Sequence, residues 1–144
     1  MLKNQQWDLL DRQNLIEEIE SLGRQQRREL RNRLAILLGH LLKWHYQSDR
    51  RSRSWLATLR VQRREIQSLI QDNPSLKPYL DEALREGYLN GRDLAMGETN
   101  LPLSTFPETC IYSLTDVLNL DFYPGSPSTL TQELPNELTD DGSN

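Results

Sequence analysis

Apolar residues follow the period of an α-helix rather than of a β-strand over residues 15–22 and again, at steps of three and four positions, over residues 30–44. At 100° per residue, these positions stay on one side of a helix. The pattern therefore predicts either one long helix over residues 11–47, bent at Gly23, or two nearly collinear helices. The apolar stripe consists of Leu15, Ile16, Ile19, Leu22, Leu30, Leu34, Leu37, Leu41 and Trp44.

Two further helical segments follow, and turn-forming residues separate them. The polar stretch 47–54 predicts a connection, with Ser54 as the N-cap of a second helix. The sequence "DNPS", residues 72–75, predicts the end of that helix, because proline lacks a backbone N–H and restricts the residue before it. Ser75 is the predicted cap of a third helix.

The third predicted helix carries a small residue at every fourth position, which makes a low ridge along one side. A glycine inside a helix costs about 1 kcal/mol relative to alanine, so two glycines on a packed face predict a neighbouring helix that approaches closely. The ridge consists of Ala83, Gly87, Gly91 and Ala95.

Beyond Gly97 the helical period is lost. The sequence "SLTD", residues 113–116, resembles a capping box and predicts a short helix through Leu118. Residues 124–144 are rich in turn formers and acids, which predicts a disordered tail. The sequence thus predicts an all-α protein: a single helical bundle of about four helices within residues 1–123, with a short C-terminal helix and a flexible acidic tail.

Length and composition narrow the class of protein further. The chain has 144 residues, of which 36% are hydrophobic, enough for one domain with a core. Cys110 is the single cysteine, no secretory leader is apparent, and no apolar run reaches the length of a membrane span. We therefore expect a soluble cytoplasmic protein without a membrane partner.

Charge is distributed unevenly along the chain. All 17 basic residues lie within residues 1–92, whereas residues 93–144 hold nine acidic residues and no basic one. Clustered positive charge is the main requirement for phosphate contacts, so an arginine stripe on the first helix is a candidate nucleic-acid surface. No recognition motif accompanies it, and a solvated helix face is the favoured interpretation. The stripe consists of Arg24, Arg27, Arg28 and Arg31.

The most suggestive polar patch lies near the end of the first predicted helix. His40, Lys43, Trp44 and Gln47 have the spacing i, i+3, i+4, i+7, which places them side by side. The patch is either a helix margin satisfied by water, or a cleft beside Trp44 in which His40 and Lys43 donate protons or bind an anion. His45 points about 140° away from His40, so the two histidines do not chelate one metal. The sequence predicts no metal site and no cofactor.

Carboxylates and a buried arginine form a second candidate. Glu17, Glu18 and Glu20 belong to the first helix, and Arg63 falls on the inward face of the second. An inward arginine remains charged and needs a carboxylate. One hypothesis pairs Arg63 with Glu18; the alternative is that Arg63 extends to solvent.

Five ordered motifs resemble the bacterial domain-of-unknown-function family numbered 29, which is common in cyanobacteria. They are "LDRQNLIEEIESLG", "HLLKWHYQ", "RSRSW", "NPSLKPYL" and "FPETCIYSL", and the likeness covers residues 10–123. The resemblance implies an all-helical fold and no established activity. The family-type positions are Glu17, Glu18, Glu20, His40, Lys43, Trp44, Gln47, Ser54, Trp55 and Arg63.

The resemblance also implies a difference at the N-terminal end. Family members usually carry an additional aromatic-containing helix before the position of Leu10. Either Leu2, Trp7 and Leu9 partly replace it here, or an apolar groove is left open for self-association.

Three functions follow as hypotheses, and the sequence leaves open whether the protein is an enzyme. The first is a scaffold or interaction module that forms a homo-oligomer or binds a protein partner. The second is an enzyme or nucleotide-binding protein with a pocket beside Trp44, and the third is a nucleic-acid binder. The catalytic candidates are Glu17, Glu18, His40, Lys43 and Arg63. The binding candidates are Trp44, Gln47, Ser54 and Trp55.

Overall fold

The computed structural model describes the backbone of residues 2–135 and the side chains of residues 8–135. Every regular element in this range is helical, and no strand occurs within it. The predicted all-α bundle is therefore confirmed. Its five α-helices within these residues are α1 (Leu2–Tyr46), α2 (Arg53–Asp72), α3 (Leu80–Thr99), α4 (Leu114–Leu118) and α5 (Thr129–Gln132).

Helix α1 is a single element, which decides between the one-helix and the two-helix interpretations. It passes through Gly23 without a break. At 1.5 Å per residue, α1 is about 67 Å long. That length exceeds the length of α2 or α3 by more than a factor of two, so α1 extends beyond the helices that pack against it.

Two helix starts differ from the predicted ones. Ser52, rather than Ser54, is the N-cap of α2: its backbone is extended and its Oγ accepts a hydrogen bond from the N–H of Trp55 at 3.2 Å. The segment Pro74–Tyr79 forms a 3-10 helix, so α3 begins at Leu80 and not at Ser75. Pro78 lies inside that segment and has no N–H to donate, which disfavours an α-helical turn at that point.

Helices α1 and α3 run in the same direction and approach very closely. A Cβ added to Gly91 would lie 2.8 Å from the carbonyl oxygen of Ala35, and one added to Gly87 would lie 3.0 Å from Cβ of Leu34. All four residues of the small-residue ridge are buried. The predicted close neighbour is therefore confirmed, and it is α1. The α1 residue Gly39 completes the contact from the other side.

Helix α2 runs antiparallel to α1, and the chain after α3 closes the bundle. Arg33 of α1 lies beside Gln62 and within 3.9 Å of Glu65 in α2. The short helix α4 begins as predicted, because Oγ of Ser113 accepts a hydrogen bond from the N–H of Asp116. The completely or almost completely buried core includes Leu30, Leu34, Leu37, Leu38, Leu41, Leu42, Trp44, Leu59, Ile66, Tyr88, Phe106 and Val117.

Arg51 fastens the segment that follows residue 123, which the sequence predicts as a tail. The guanidinium of Arg51 donates 2.8 Å hydrogen bonds to the carbonyl oxygens of Trp44 and Ser126. Leu130 and Leu134 pack against the core farther along. Residues 124–135 thus contact the bundle, and residues 136–144 lie outside the described residues.

Candidate functional site

Residues 8–26 of α1 project beyond the bundle, and we call this segment the arm. None of its side chains is buried. The apolar residues Leu15, Ile16, Ile19 and Leu22 expose 57, 55, 59 and 55% of their surface. These four residues continue the stripe that is buried from Leu30 onward, so the arm presents an apolar stripe without a covering helix in the described structure.

Of the three N-terminal apolar residues Leu2, Trp7 and Leu9, the structure describes only the side chain of Leu9. Leu9 is 58% exposed and so does not cover the stripe. The side chains of Leu2 and Trp7 lie outside the described residues. Within the described side chains, the apolar stripe of the arm is therefore open, and the self-association that the open-groove alternative includes stays a prediction.

The carboxylates Glu17, Glu18 and Glu20 all lie on the arm and are exposed. Glu18 precedes His40 by about six turns of the same helix, which separates them by about 33 Å along its axis. The structure therefore does not bring the five catalytic candidates together. Glu17 or Glu18 could approach His40 only if α1, which is a continuous helix, bent sharply.

Lys43 and Trp55, two of the predicted site residues, meet at a cavity at one end of the bundle, which we call the Lys43 pocket. The Lys43 ammonium donates a hydrogen bond to Oε2 of Glu98 at 2.7 Å and lies 4.6 Å from the ring centroid of Trp55. The side chain of Lys43 is almost fully buried, whereas that of Glu98 is 47% exposed. The cavity has a volume of about 310 Å³ and is lined by Gln47, Arg50, Trp55, Glu98, Thr99 and Asn100.

His40 and Gln47 lie close to this ion pair. Burial lowers the pKa of His40, and the positive charge of Lys43 lowers it further, while the Ile36 carbonyl and Glu98 partly oppose this. Nδ1 of His40 lies 2.9 Å from the Ile36 carbonyl oxygen, which fixes Nδ1 as the protonated nitrogen of the neutral ring. The amide of Gln47 donates a long hydrogen bond of 3.4 Å to the Thr99 carbonyl. A ligand that bound to the Lys43 ammonium would have to compete with the Glu98 carboxylate, which already pairs with it.

Arg63 is buried, but neither predicted environment is correct. Its guanidinium donates to the carbonyl oxygens of Val117 at 2.8 Å and Asp116 at 3.4 Å, and it lies 5.4 Å from the ring centroid of Tyr123. The pairing with Glu18 is wrong, because the inward face of α2 meets the chain around α4 rather than the arm. Extension to solvent is also wrong, since Arg63 is 0% exposed.

Trp44 and Ser54 lie away from the Lys43 pocket. Trp44 is buried on another side of α1, where its ring lies 5.5 Å from that of Tyr123 and 4.8 Å from the guanidinium of Arg51. Ser54 is exposed in the first turn of α2. The predicted binding patch is thus divided: Trp44 faces the C-terminal segment, and Gln47 and Trp55 face the pocket.

The arginine stripe has a partly structural role. Arg31 donates a 2.9 Å hydrogen bond to the Tyr79 hydroxyl and forms a 3.4 Å ion pair with Glu86. Arg27 stacks over the same tyrosine ring. Arg24 and Arg28 are exposed. Two of the four arginines, Arg27 and Arg31, therefore contact Tyr79 in the 3-10 helix that precedes α3.

Sequence reasoning missed Glu98, Arg51 and Tyr123. Each meets its partner across a long stretch of chain, as the 55 residues between Lys43 and Glu98 illustrate. Helical periodicity places a residue on a face of its own helix but not opposite a particular residue of another helix, so no local signal marks these contacts.

Two classes of feature are absent from the part of the chain that the structure describes. No group of three or more His, Cys, Asp or Glu side chains is placed to hold a metal ion there. Among the same residues, no helix combines the length and the apolar character needed to cross a membrane.

Comparison with known proteins gives a family and no function. No curated protein and no solved structure matches the chain. A family model described as "Domain of unknown function DUF29" matches residues 1–123, which include the arm, the Lys43 pocket and the surroundings of Arg63. The match agrees with the resemblance that the five motifs indicate. The chain therefore belongs to the DUF29 family.

Proposed function

We propose that this protein is a helical interaction module that self-associates by pairing its arm with the arm of a second copy. The bare stripe of Leu15, Ile16, Ile19 and Leu22 is the observation that carries the proposal. Contiguous exposed apolar surface of this kind is typical of interaction sites. The stripe also continues a buried one, so the same helix face is already suited to packing.

The energetic gain from covering the stripe is sufficient for a weak dimer. Full burial of a Leu or Ile side chain contributes about 1.5–3 kcal/mol, and these four residues are still more than half exposed. Each copy would therefore gain about 4–6 kcal/mol. A pair would gain about 8–12 kcal/mol against an association cost of at least about 4 kcal/mol. We expect a dissociation constant in the micromolar to millimolar range.

The distribution of charge on α1 favours antiparallel pairing. Residues 8–20 carry five carboxylates and one arginine, whereas residues 21–31 carry four arginines and one glutamate. Two arms in opposite directions set the acidic part of one against the basic part of the other. Parallel arms would align like charges along their length. When two antiparallel stripes cover each other in full, Leu15 of each copy faces Leu22 of the other.

The oligomeric state tests the proposal. Sedimentation at protein concentrations from about 10 µM to 1 mM should show concentration-dependent dimerisation. Ile19→Glu places a charge in the stripe and should abolish the dimer. Gln13→Glu adds the same charge to an exposed position on another side of the arm and should retain it. A monomer at every concentration, or equal behaviour of the two variants, would overturn the proposal.

Disulfide cross-linking tests the direction of the arms. Leu15→Cys and Leu22→Cys are introduced separately into a Cys110→Ser background and then mixed under oxidising conditions. Antiparallel pairing brings residue 15 near residue 22 of the other copy, so the mixed disulfide should predominate. Predominant disulfides between identical variants would show parallel arms.

The other two hypotheses have weaker support. A ligand at the Lys43 pocket would compete with the carboxylate of Glu98, which already lies 2.7 Å from the ammonium. A nucleic acid on the arginine stripe would displace Arg27 and Arg31 from Tyr79. Pairing of two arms breaks no contact of this kind, because the apolar stripe of each arm is exposed.

A further inference from the structure

Helix α2 and the chain around α5 form a groove of about 420 Å³, which we call the α2 groove. Three of its arginines have the spacing i, i+7, i+11 and so form a row along one face of α2. Apolar side chains lie beside this row, and Val61 among them is 48% exposed. The groove is lined by Arg53, Leu56, Ala57, Arg60, Val61, Arg64, Leu130, Glu133 and Leu134.

The chain after α4 leads into this groove. It first follows α2 towards the start of that helix, since Gln67 donates a hydrogen bond to the Leu118 carbonyl and Arg51 donates one to the Ser126 carbonyl. Farther on, the Glu133 carboxylate lies 3.7 Å from the Arg53 guanidinium in an exposed ion pair. Leu134 lines the groove, and the described structure continues only to the next residue. Residues 136–144 therefore begin beside the arginine row.

The sequence of residues 136–144 is complementary to the groove. The pair Glu133-Leu134 recurs four residues later as Glu137-Leu138, and two aspartates follow without any basic residue. The first pair sets its carboxylate near an arginine of the row and its leucine against apolar side chains. The second pair offers the same two groups to the next part of the groove.

The length of the segment and the chemistry of the arginines are sufficient for such a contact. Arg53 and Arg64 are about 16 Å apart along the axis of α2, whereas nine extended residues reach about 30 Å. A guanidinium has five N–H donors. Arg60 and Arg64 can therefore bind a carboxylate in addition to the contacts that they already make.

We propose that residues 136–144 bind along the α2 groove of their own chain. Leu138 packs against Ala57 and Val61, and the carboxylates of Glu137, Asp140 and Asp141 pair with Arg60 and Arg64. The acidic segment thereby covers exposed apolar surface and neutralises the arginine row, which closes the groove to other acidic chains. The contact is separate from the arm and does not depend on self-association.

Disulfide cross-linking locates the segment. Val61→Cys and Leu138→Cys are combined in a Cys110→Ser background and oxidised at about 1 µM protein, where weakly associating arms are mostly unpaired. A disulfide within one chain should form readily, because the two side chains are in contact. Glu65→Cys replaces Val61→Cys in the matched control, since Glu65 is also exposed but lies on the side of α2 near Arg33. Equal rates in the two proteins, or disulfides mainly between chains, would overturn the proposal.

Nitrogen-15 relaxation of the full chain measures whether the segment is held. The amide order parameters of residues 137–141 should exceed about 0.6, the level below which a backbone is flexible. In the triple variant Glu137→Gln/Asp140→Asn/Asp141→Asn they should fall below that level. The control Asp8→Asn/Asp11→Asn/Glu20→Gln removes three carboxylates from the arm and should leave them unchanged. Low order parameters in the unaltered chain, or equal losses in the two variants, would refute the contact.

The arm and the α2 groove can be tested separately in the same protein. Ile19→Glu, which should abolish the dimer, should leave the order parameters of residues 137–141 unchanged. A monomeric chain with an ordered segment would overturn the pairing of the arms alone. A dimer with a flexible segment would overturn the groove contact alone.

Discussion

Gly91 lies where α3 comes closest to α1, and Gly91→Ala is the most direct test of that contact. A Cβ at this position would lie 2.8 Å from the Ala35 carbonyl oxygen and 3.0 Å from the Gly39 nitrogen. Both atoms belong to the backbone of α1, so neither can rotate away. The two helices must separate if the methyl group is to fit.

The expected loss of stability follows from two opposing effects. Alanine gains about 1 kcal/mol over glycine through its helix propensity. Overpacking of a well-packed core costs about 1–3 kcal/mol, and contact with rigid backbone on two sides favours the upper part of that range. We therefore expect Gly91→Ala to lower the free energy of unfolding by about 1–2 kcal/mol.

Gly97→Ala is the matched control, because it makes the same change in the same helix. A Cβ at Gly97 would meet no atom within 4 Å, so only the propensity gain of up to about 1 kcal/mol remains. Urea denaturation followed by far-ultraviolet circular dichroism measures both variants, with an unchanged m-value as the sign of two-state unfolding. If Gly91→Ala proves as stable as Gly97→Ala, the close contact between α1 and α3 is refuted.

Three further predictions concern the ends and margins of the helices. Glu98→Gln should lower the free energy of unfolding by about 1–3 kcal/mol, because it leaves the buried ammonium of Lys43 without its carboxylate. A change below about 0.5 kcal/mol in urea denaturation would show that water replaces the carboxylate. Ser52→Ala should lower the free energy of unfolding by about 1 kcal/mol through loss of the α2 cap, whereas Ser54→Ala should change it little. If Ser54→Ala is instead the more destabilising variant, Ser54 is the cap. Burial lowers the pKa of His40, so the folded state favours the neutral ring. The free energy of unfolding should therefore fall as the pH drops below about 6.5. In His40→Gln, the decrease of Tm with falling pH should be smaller. An identical slope in His40→Gln would assign the dependence to other groups.

Local patterns were sufficient where the cause is local. The apolar spacing from Leu15 to Trp44 predicts α1, and the "SLTD" sequence predicts the start of α4, because helix formation and capping depend on neighbours in the chain. The ridge around Gly87 and Gly91 predicts a close helix neighbour without identifying α1. The start of α2 was displaced by two residues, since Ser52 and Ser54 are both acceptable caps and only the backbone path selects one.

The sequence by itself determined that this chain forms amphipathic helices, that small residues bring two of them close together, and that Arg63 lies on an inward face. Tertiary structure decided which groups meet: Lys43 with Glu98, Arg63 with the carbonyl groups near α4, and Arg51 with the segment after Tyr123. It also decided that the apolar stripe is covered from Leu30 onward and bare on the arm. The physical reason is that periodicity fixes the direction of a side chain around its own helix axis. The partner that a side chain meets depends on how far each neighbouring helix extends along that axis.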